Sequence, residues 1–195
     1  FDFKEINKDV NLGNTIIQVD LHEFFEHYVE TYFKLVEAEF RKSLPNHLYL
    51  GCRLYEKTHH NITVRKFAAK YSDIVSYNIY RYSLKDFNFL RELEKPVLIG
   101  EFHFGTGSHG VWGTGLRVAN SLEQQSRLYK QFIYEAASHP SVVGAHWFQW
   151  SDQPATGRFD GENFRVGFVS ITDQPYQKLI ETARQTSLQI RQWRN

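Results

Sequence analysis

Four short apolar runs constrain what this chain can fold into more than any other feature: residues 47–53 (HLYLGCR), 74–80 (IVSYNIY), 96–103 (PVLIGEFH) and 142–149 (VVGAHWFQ). Each is continuously apolar rather than alternating, the pattern of strands covered on both faces in a parallel sheet. Between them the period changes to that of helices. Asp20 and Glu23 predict a capping box ahead of a helix over 21–42, where Phe24, Phe25, Tyr28, Val29, Tyr32, Val36 and Phe40 recur at helical spacing until Pro45 stops it. Asn61 or Thr63 opens a short helix through Val64, Phe67 and Ala68, and Ser83 another through Leu84, Phe87 and Leu90. Ser121 with Gln124 caps a third, running through Leu128, Phe132, Ile133 and Ala136 to Pro140, and a final amphipathic helix follows Tyr176.

Strand, helix, strand, helix with short links requires right-handed parallel β-α units and an α/β fold. A doubly wound open sheet and a (β/α)8 barrel both satisfy that order, and periodicity does not separate them. A barrel needs eight strands in about 250 residues; the 195 residues here hold four, so as a barrel this chain is half of one. No linker or low-complexity run divides residues 1–195, which read as one unit. The Phe1 start and the absence of methionine point to a piece of a longer protein. Half a barrel leaves two strand edges open, so attachment to the missing half or self-association is expected.

Lysine and arginine (23) nearly balance aspartate and glutamate (22), which argues against nucleic acid or an anionic membrane surface as partner and favours an uncharged one. Aromatic residues, 16% of the chain, can serve as platforms for sugar rings, although a core uses the same side chains. Cys52 is the single cysteine and forms no internal disulfide. No run approaches the ~18 apolar residues of a membrane span, and no signal-like segment is visible.

In β-α architectures reactive side chains gather at the C-terminal ends of the strands. Glu101 closes the run 96–100, where an ionisable group stands at the mouth of a pocket; an acid paired with an arginine at the rim is the plainer alternative. His103 shares its face by strand alternation, to bind ligand, to steer the carboxylate, or simply to be satisfied by loop backbone. Tyr77, Asn78 and Tyr80 end the second run: a tyrosine hydroxyl can hold a carboxylate and an asparagine can bind hydroxyls, with core packing the alternative for Tyr80. Arg53 ends the first run as a substrate contact or a buried counter-ion. On the fourth, Trp147 shares a face with Gln149 and Phe148 with Trp150, which makes Trp147 the expected platform and Trp150 the expected packing residue. The polar loop 151–163 adds Asp152, Gln153, Arg158 and Glu162 as candidate contacts.

Other motifs carry less. Residues 105–110 (GTGSHG) match the dinucleotide fingerprint, but VWGTG follows instead of the helix whose N-terminus would hold a pyrophosphate. His103 with His109, or His59 with His60, is a poor zinc pattern without a Cys or a His-Glu-x-x-His companion. No Gly-x-Ser-x-Gly elbow is present. No cofactor or metal is expected.

Residues 100–105 (GEFHFG), 146–149 (HWFQ), Asp152-Gln153, 156–158 (TGR) and 160–163 (DGEN) resemble the last two strands of clan A glycoside hydrolases, nearest to the β-agarases of glycoside hydrolase family 50. Residues 45–53 (PNHLYLGCR) and 75–78 (VSYN) resemble the two strands before them, and the likeness runs from about 21 to 176. The resemblance implies the C-terminal half, strands five to eight, of a (β/α)8 TIM barrel. It further implies a retaining glycosidase acting on β-linked galactose-containing polysaccharide such as agarose, with Glu101 as nucleophile and an acid/base Glu after an Asn on the fourth strand. This chain has no such Asn-Glu; Glu5, outside the long helix, follows Lys4. Retaining hydrolysis needs two carboxyl groups ~5–5.5 Å apart, so the isolated chain is expected to be inactive. Secretion, or a periplasmic location, is implied because agarose lies outside the cell. The alternative is a non-catalytic carbohydrate-binding module descended from such a barrel.

Overall fold

The four apolar runs pair as one parallel sheet whose strands lie side by side in chain order, β1 (Arg53–Leu54), β2 (Val75–Asn78), β3 (Val97–Phe102) and β4 (Val142–Trp147). The computed structural model describes residues 15–85, 87–107 and 113–194. Helices α1 (Thr15–Ser43), α2 (Lys57–His60), α3 (Ile62–Tyr71), α4 (Leu122–Ser138) and α5 (Gln177–Arg194), with a 3-10 turn at Asn88–Arg91, connect and flank the strands. Strand order never reverses, as it would at the switch point of a doubly wound sheet. Among the described residues β1 and β4 each pair on one side only.

Local chemistry explains most boundaries. Asn61 caps α3 by accepting from the Val64 N–H (3.1 Å), and Ser121 caps α4 by accepting from the Gln124 N–H (3.2 Å). Gln124 Oε1 reaches back to the Asn120 N–H (2.6 Å), a reciprocal cap displaced by one residue. Three expectations are corrected. Asp20 and Glu23 are not a capping box: α1 begins at Thr15 and carries both on its exposed surface, because nothing between 15 and 20 breaks a helix. The first strand is not 47–53 but the pair Arg53–Leu54, since Gly51 takes a left-handed φ of +64° and interrupts the extended chain. The preceding backbone is held by side chains instead: Arg41 donates to the His47 carbonyl (2.9 Å) and to Asp73 (2.7 Å), and Asp73 accepts from the Tyr49 N–H (2.7 Å). The helix expected after Ser83 contracts to the 3-10 turn; Leu84, Phe87 and Leu90 still bury, while Ser83 donates to Glu135 (2.7 Å).

The core lies between the sheet and its helices, with Val75, Tyr77, Val97, Ile99, Phe102 and Val142 from the strands and Ala68, Phe132, Ala136 and Leu179 from the helices. Phe102 stacks on Phe132 at 4.2 Å. Strict alternation from Ile99 would carry Glu101 into this apolar layer. It does not, because just past Ile99 β3 gains one residue over each neighbour, after β4 has itself gained one between Val142 and Gly144 opposite Val97 and Leu98. Ile99 and Phe102 pair with Ala145 and Trp147, three steps against two, while Tyr77 and Asn78 pair with Ile99 and Glu101. Such a bulge lets both Ile99 (0% exposed) and Phe102 (1%) stay buried while Glu101 turns to the opposite face.

Gly100 makes the bulge compatible with its surroundings. A Cβ there would lie 2.7 Å from Arg53 Cδ and 3.0 Å from Asn78 Oδ1. Elsewhere the helical covering is incomplete: α1 buries Val29 and Phe33 but leaves Phe24 (64%), Tyr28 (63%) and Tyr32 (49%) exposed. None of the described helices is long and apolar enough to cross a membrane.

Gly100→Ala is expected to lower stability by about 1–3 kcal/mol in urea unfolding. Combined with Arg53→Ala, which removes the nearest obstruction, it should cost less than the two single changes added together; strict additivity would show that the contact with Arg53 is not the cause.

Candidate active site

Glu101 reaches the C-terminal edge of the sheet with both carboxylate oxygens engaged. Arg53 Nη1, from β1, donates to Oε1 at 2.6 Å, and the Tyr80 hydroxyl, just past β2, donates to Oε2 at 2.6 Å. Three adjacent strand ends thus converge on one carboxylate. Burial, reinforced by the bond to Glu101, pushes the Tyr80 phenol above its ordinary range, so it remains a proton donor. The Tyr80 ring packs against His103 at 4.6 Å and edge-on to Tyr55 at 5.8 Å.

His103 is buried, and its Nε2 accepts from the Leu116 N–H at 2.8 Å, which leaves the ring proton on Nδ1. Burial pulls its pKa down to about 4, partly opposed by the Phe148 backbone, and so the imidazole is neutral at physiological pH. It props the floor of the site and carries no charge.

These groups line an open cleft of about 400 Å³ that also admits Asn78, Arg158 and Glu162. Of the residues singled out from the sequence, the fold therefore brings Glu101, Tyr80, His103, Asn78, Arg158 and Glu162 to one cavity, with Arg53 on the carboxylate. Arg158 pairs with Asp160 (2.5 Å) and Glu162 (3.0 Å), and its guanidinium lies 5.9 Å from the Phe148 ring centre.

Five candidates lie elsewhere. Tyr77 is 1% exposed in the helix-side core, edge-on to Phe89, with burial pushing its phenol up to about 12. Trp147 follows Ala145 on the helix side of β4, packs on Phe102 and Tyr129, and donates Nε1 to the Val166 carbonyl (2.7 Å), so it is a core residue rather than the cleft platform. Phe148, one residue on, takes the cleft position, and Trp150, expected to pack, is 70% exposed. Gln149 donates to the nearby Ser151 carbonyl (2.9 Å). Asp152 is buried and holds the loop, accepting from the Gly167 N–H (2.7 Å) and the Tyr176 hydroxyl (2.6 Å). Gln153, 0% exposed, accepts from the Phe164 N–H (2.6 Å) and donates to Glu162 (2.9 Å), positioning a cleft residue without lining the cleft. Tyr55, Leu116 and Phe164 also line the cleft and carry no signal in the sequence, because loop residues have no period.

Among the described residues no group of three His, Cys, Asp or Glu is placed to hold a metal ion. His59 and His60 meet each other, Nε2 to Nε2 at 2.8 Å. His109, with the rest of 108–112, lies outside the described residues, as does Glu5. Gly105 does not open a helix; its N–H bonds to the Arg117 carbonyl (2.8 Å) and its carbonyl accepts from Ala119 (2.7 Å).

No protein-family model matches the chain. It is 45% identical over 171 residues to β-agarase B of Vibrio sp. (strain JT0107), covering 85% of this chain and 18% of that protein. With β-agarase A of the same organism the identity is 41% over 179 residues, covering 87% and 18%. The solved structure of an exo-β-agarase matches with a TM-score of 0.86 at 41% identity, over 92% of this chain and 24% of that one. The chain is similar to one segment of these agarases and spans about a fifth of the length of the curated relatives it matches.

The depressed His103 pKa has a consequence for stability. Between its ordinary 6.5 and about 4 the unfolded chain binds a proton that the folded chain refuses, so stability is complete above this window and falls as pH drops through it. Thermal unfolding midpoints measured from pH 7 to 4.5 should decline, and His103→Gln, which keeps an acceptor for Leu116, should decline less steeply; equal slopes would exclude His103 as a source.

Proposed function

We propose that residues 1–195 are the C-terminal portion, strands five to eight, of a (β/α)8 catalytic barrel, and that the cleft is the nucleophile side of a retaining glycosidase acting on β-linked galactose-containing polysaccharide such as agarose. The observation that carries the proposal is the Glu101 carboxylate, clamped by Arg53 and Tyr80 at a strand end and facing a cleft. The similarity to segments of β-agarases supports the same reading.

In this mechanism a Glu101 oxygen attacks the anomeric carbon and forms a glycosyl ester while a second carboxyl group protonates the departing oxygen; that group then activates the water that cleaves the ester. Arg53 and Tyr80 hold the carboxylate plane so that attack needs little reorganisation. Phe148 supplies an apolar wall for the sugar ring, and Asn78, Arg158 and Glu162 are positioned to meet hydroxyl groups. Both arginines are already paired with carboxylates, which suits an uncharged substrate. Among the described residues Glu162 is the other carboxylate lining the cleft, but its Oε2 already accepts from Gln153 and Arg158. We therefore assign the acid/base to the missing half of the barrel, whose docking would also cover the open edges of β1 and β4 and the apolar face of α1. A polysaccharide of this kind places the working protein outside the cell or in the periplasm.

The chain combined with the complementary half of a β-agarase barrel should hydrolyse agarose oligosaccharides, and neither piece alone should. Glu101→Gly should lower turnover by roughly 10³-fold or more, and added azide should restore it with inversion at the anomeric carbon. Turnover that survives Glu101→Gly would remove Glu101 from the role.

A further inference from the structure

The loop that carries Arg158 and Glu162 holds one residue that the cleft does not use. Phe159 is 100% exposed, the most exposed of the large apolar side chains among the described residues. It stands at the tip of a tight turn in which the Gly161 N–H donates to the Arg158 carbonyl (2.9 Å), with Gly161 at φ +85°. Such positions ordinarily take Asn, Asp, Ser, Pro or Gly, and Asp160 and Gly161 obey that chemistry while Phe159 does not. A phenylalanine left wholly in water forfeits the free energy its burial would release.

The turn that presents this ring is braced. Gly157 N–H donates to the Pro154 carbonyl (2.9 Å) and Arg158 N–H to the Glu162 carbonyl (2.8 Å). Asp160 accepts from the Arg158 guanidinium (2.5 Å) and the Glu162 N–H (3.2 Å), and buried Gln153 anchors Glu162 (2.9 Å). An exposed aromatic on a preorganised turn meets a ligand with little ordering cost. The backbone that carries the ring is beside the cleft: its neighbour Arg158 lines that cavity, and consecutive Cα atoms are only about 3.8 Å apart.

Resting on the glycosidase reading above, we propose that Phe159 is a stacking platform for a sugar ring lying outside the Glu101 cleft, a distal subsite for an uncharged polysaccharide chain that extends over the rim. Pyranose rings present C–H faces that match an aromatic face, and their hydroxyl rims stay in water. The charges of the turn select against an anionic polymer: Arg158 is offset by both Asp160 and Glu162, which leaves no free cation for a sulfate or carboxylate.

The test is calorimetric titration of the 195-residue chain, its Phe159→Ala variant and its Phe159→Tyr variant with neutral β-galactan oligosaccharides of two and six sugars, with sedimentation to follow association state. The longer ligand should bind the unaltered chain more tightly than the shorter. Phe159→Ala should weaken the longer ligand about tenfold and leave the shorter within twofold, while Phe159→Tyr keeps most of the affinity. An unchanged affinity of Phe159→Ala for the longer ligand overturns the platform and leaves the Glu101 site standing. Loss of self-association without a change in sugar affinity also overturns it, in favour of a protein contact. Failure of the unaltered chain to bind either ligand overturns the sugar-site reading itself, and the distal subsite with it.

Discussion

The residue inserted between Ile99 and Phe102 is the constraint on which the rest of the site depends. A strand covered by helices on one side must send every second side chain into the apolar layer, and β3 does so with Val97, Ile99 and Phe102. Without the additional residue a carboxylate two positions beyond Ile99 would enter that layer, where burying an unpaired charge is prohibitive. The bulge resolves the conflict by giving both aromatic packing and an outward-facing acid to one strand. Gly100 is its necessary companion, because the Arg53 side chain passes where any Cβ would stand.

Around that carboxylate the fold separates groups that meet the cleft from groups that hold others in place. Arg53 and Tyr80 fix both oxygens of Glu101, and neutral His103 fills the space beneath. Farther out, Asp152 and Gln153 spend their hydrogen bonds on Gly167, Tyr176, Phe164 and Glu162, so the polar loop is fastened from within. A loop rich in polar residues is thereby divided in two: its buried members are structural, and Arg158 and Glu162 are displayed. That division turns a solvated connection into a defined wall.

The surfaces left open follow the same logic at larger scale. Among the described residues β1 and β4 end the sheet on unpaired edges, and α1 displays Phe24, Tyr28 and Tyr32, side chains whose burial would be strongly favourable. The β-agarases to which the chain is similar are several times longer. On the proposed reading those edges and that face are internal surfaces of a larger barrel, a role that the sheet order without reversal supports.

The order of the elements was legible in the amino-acid sequence because burial on both faces leaves continuous apolar runs, and helix caps are local chemistry: Asn61 and Ser121 act where the pattern puts them. Glu101 stood out for the same reason, as the ionisable residue that closes such a run. The sequence alone could not determine which face each strand-end residue takes. Trp147 and Phe148 exchange their expected places because the phase of β4 is set by its pairing with β3, and Tyr77 and Tyr80, three residues apart, part to core and cleft. Asp20 and Glu23 have the spelling of a cap, yet the helix runs through them, since nothing between 15 and 20 stops it. Local sequence thus determined the elements and the candidate acid; long-range pairing decided register, and with it which side chains share the cleft, because a shift of one residue along a strand reverses every direction its side chains point.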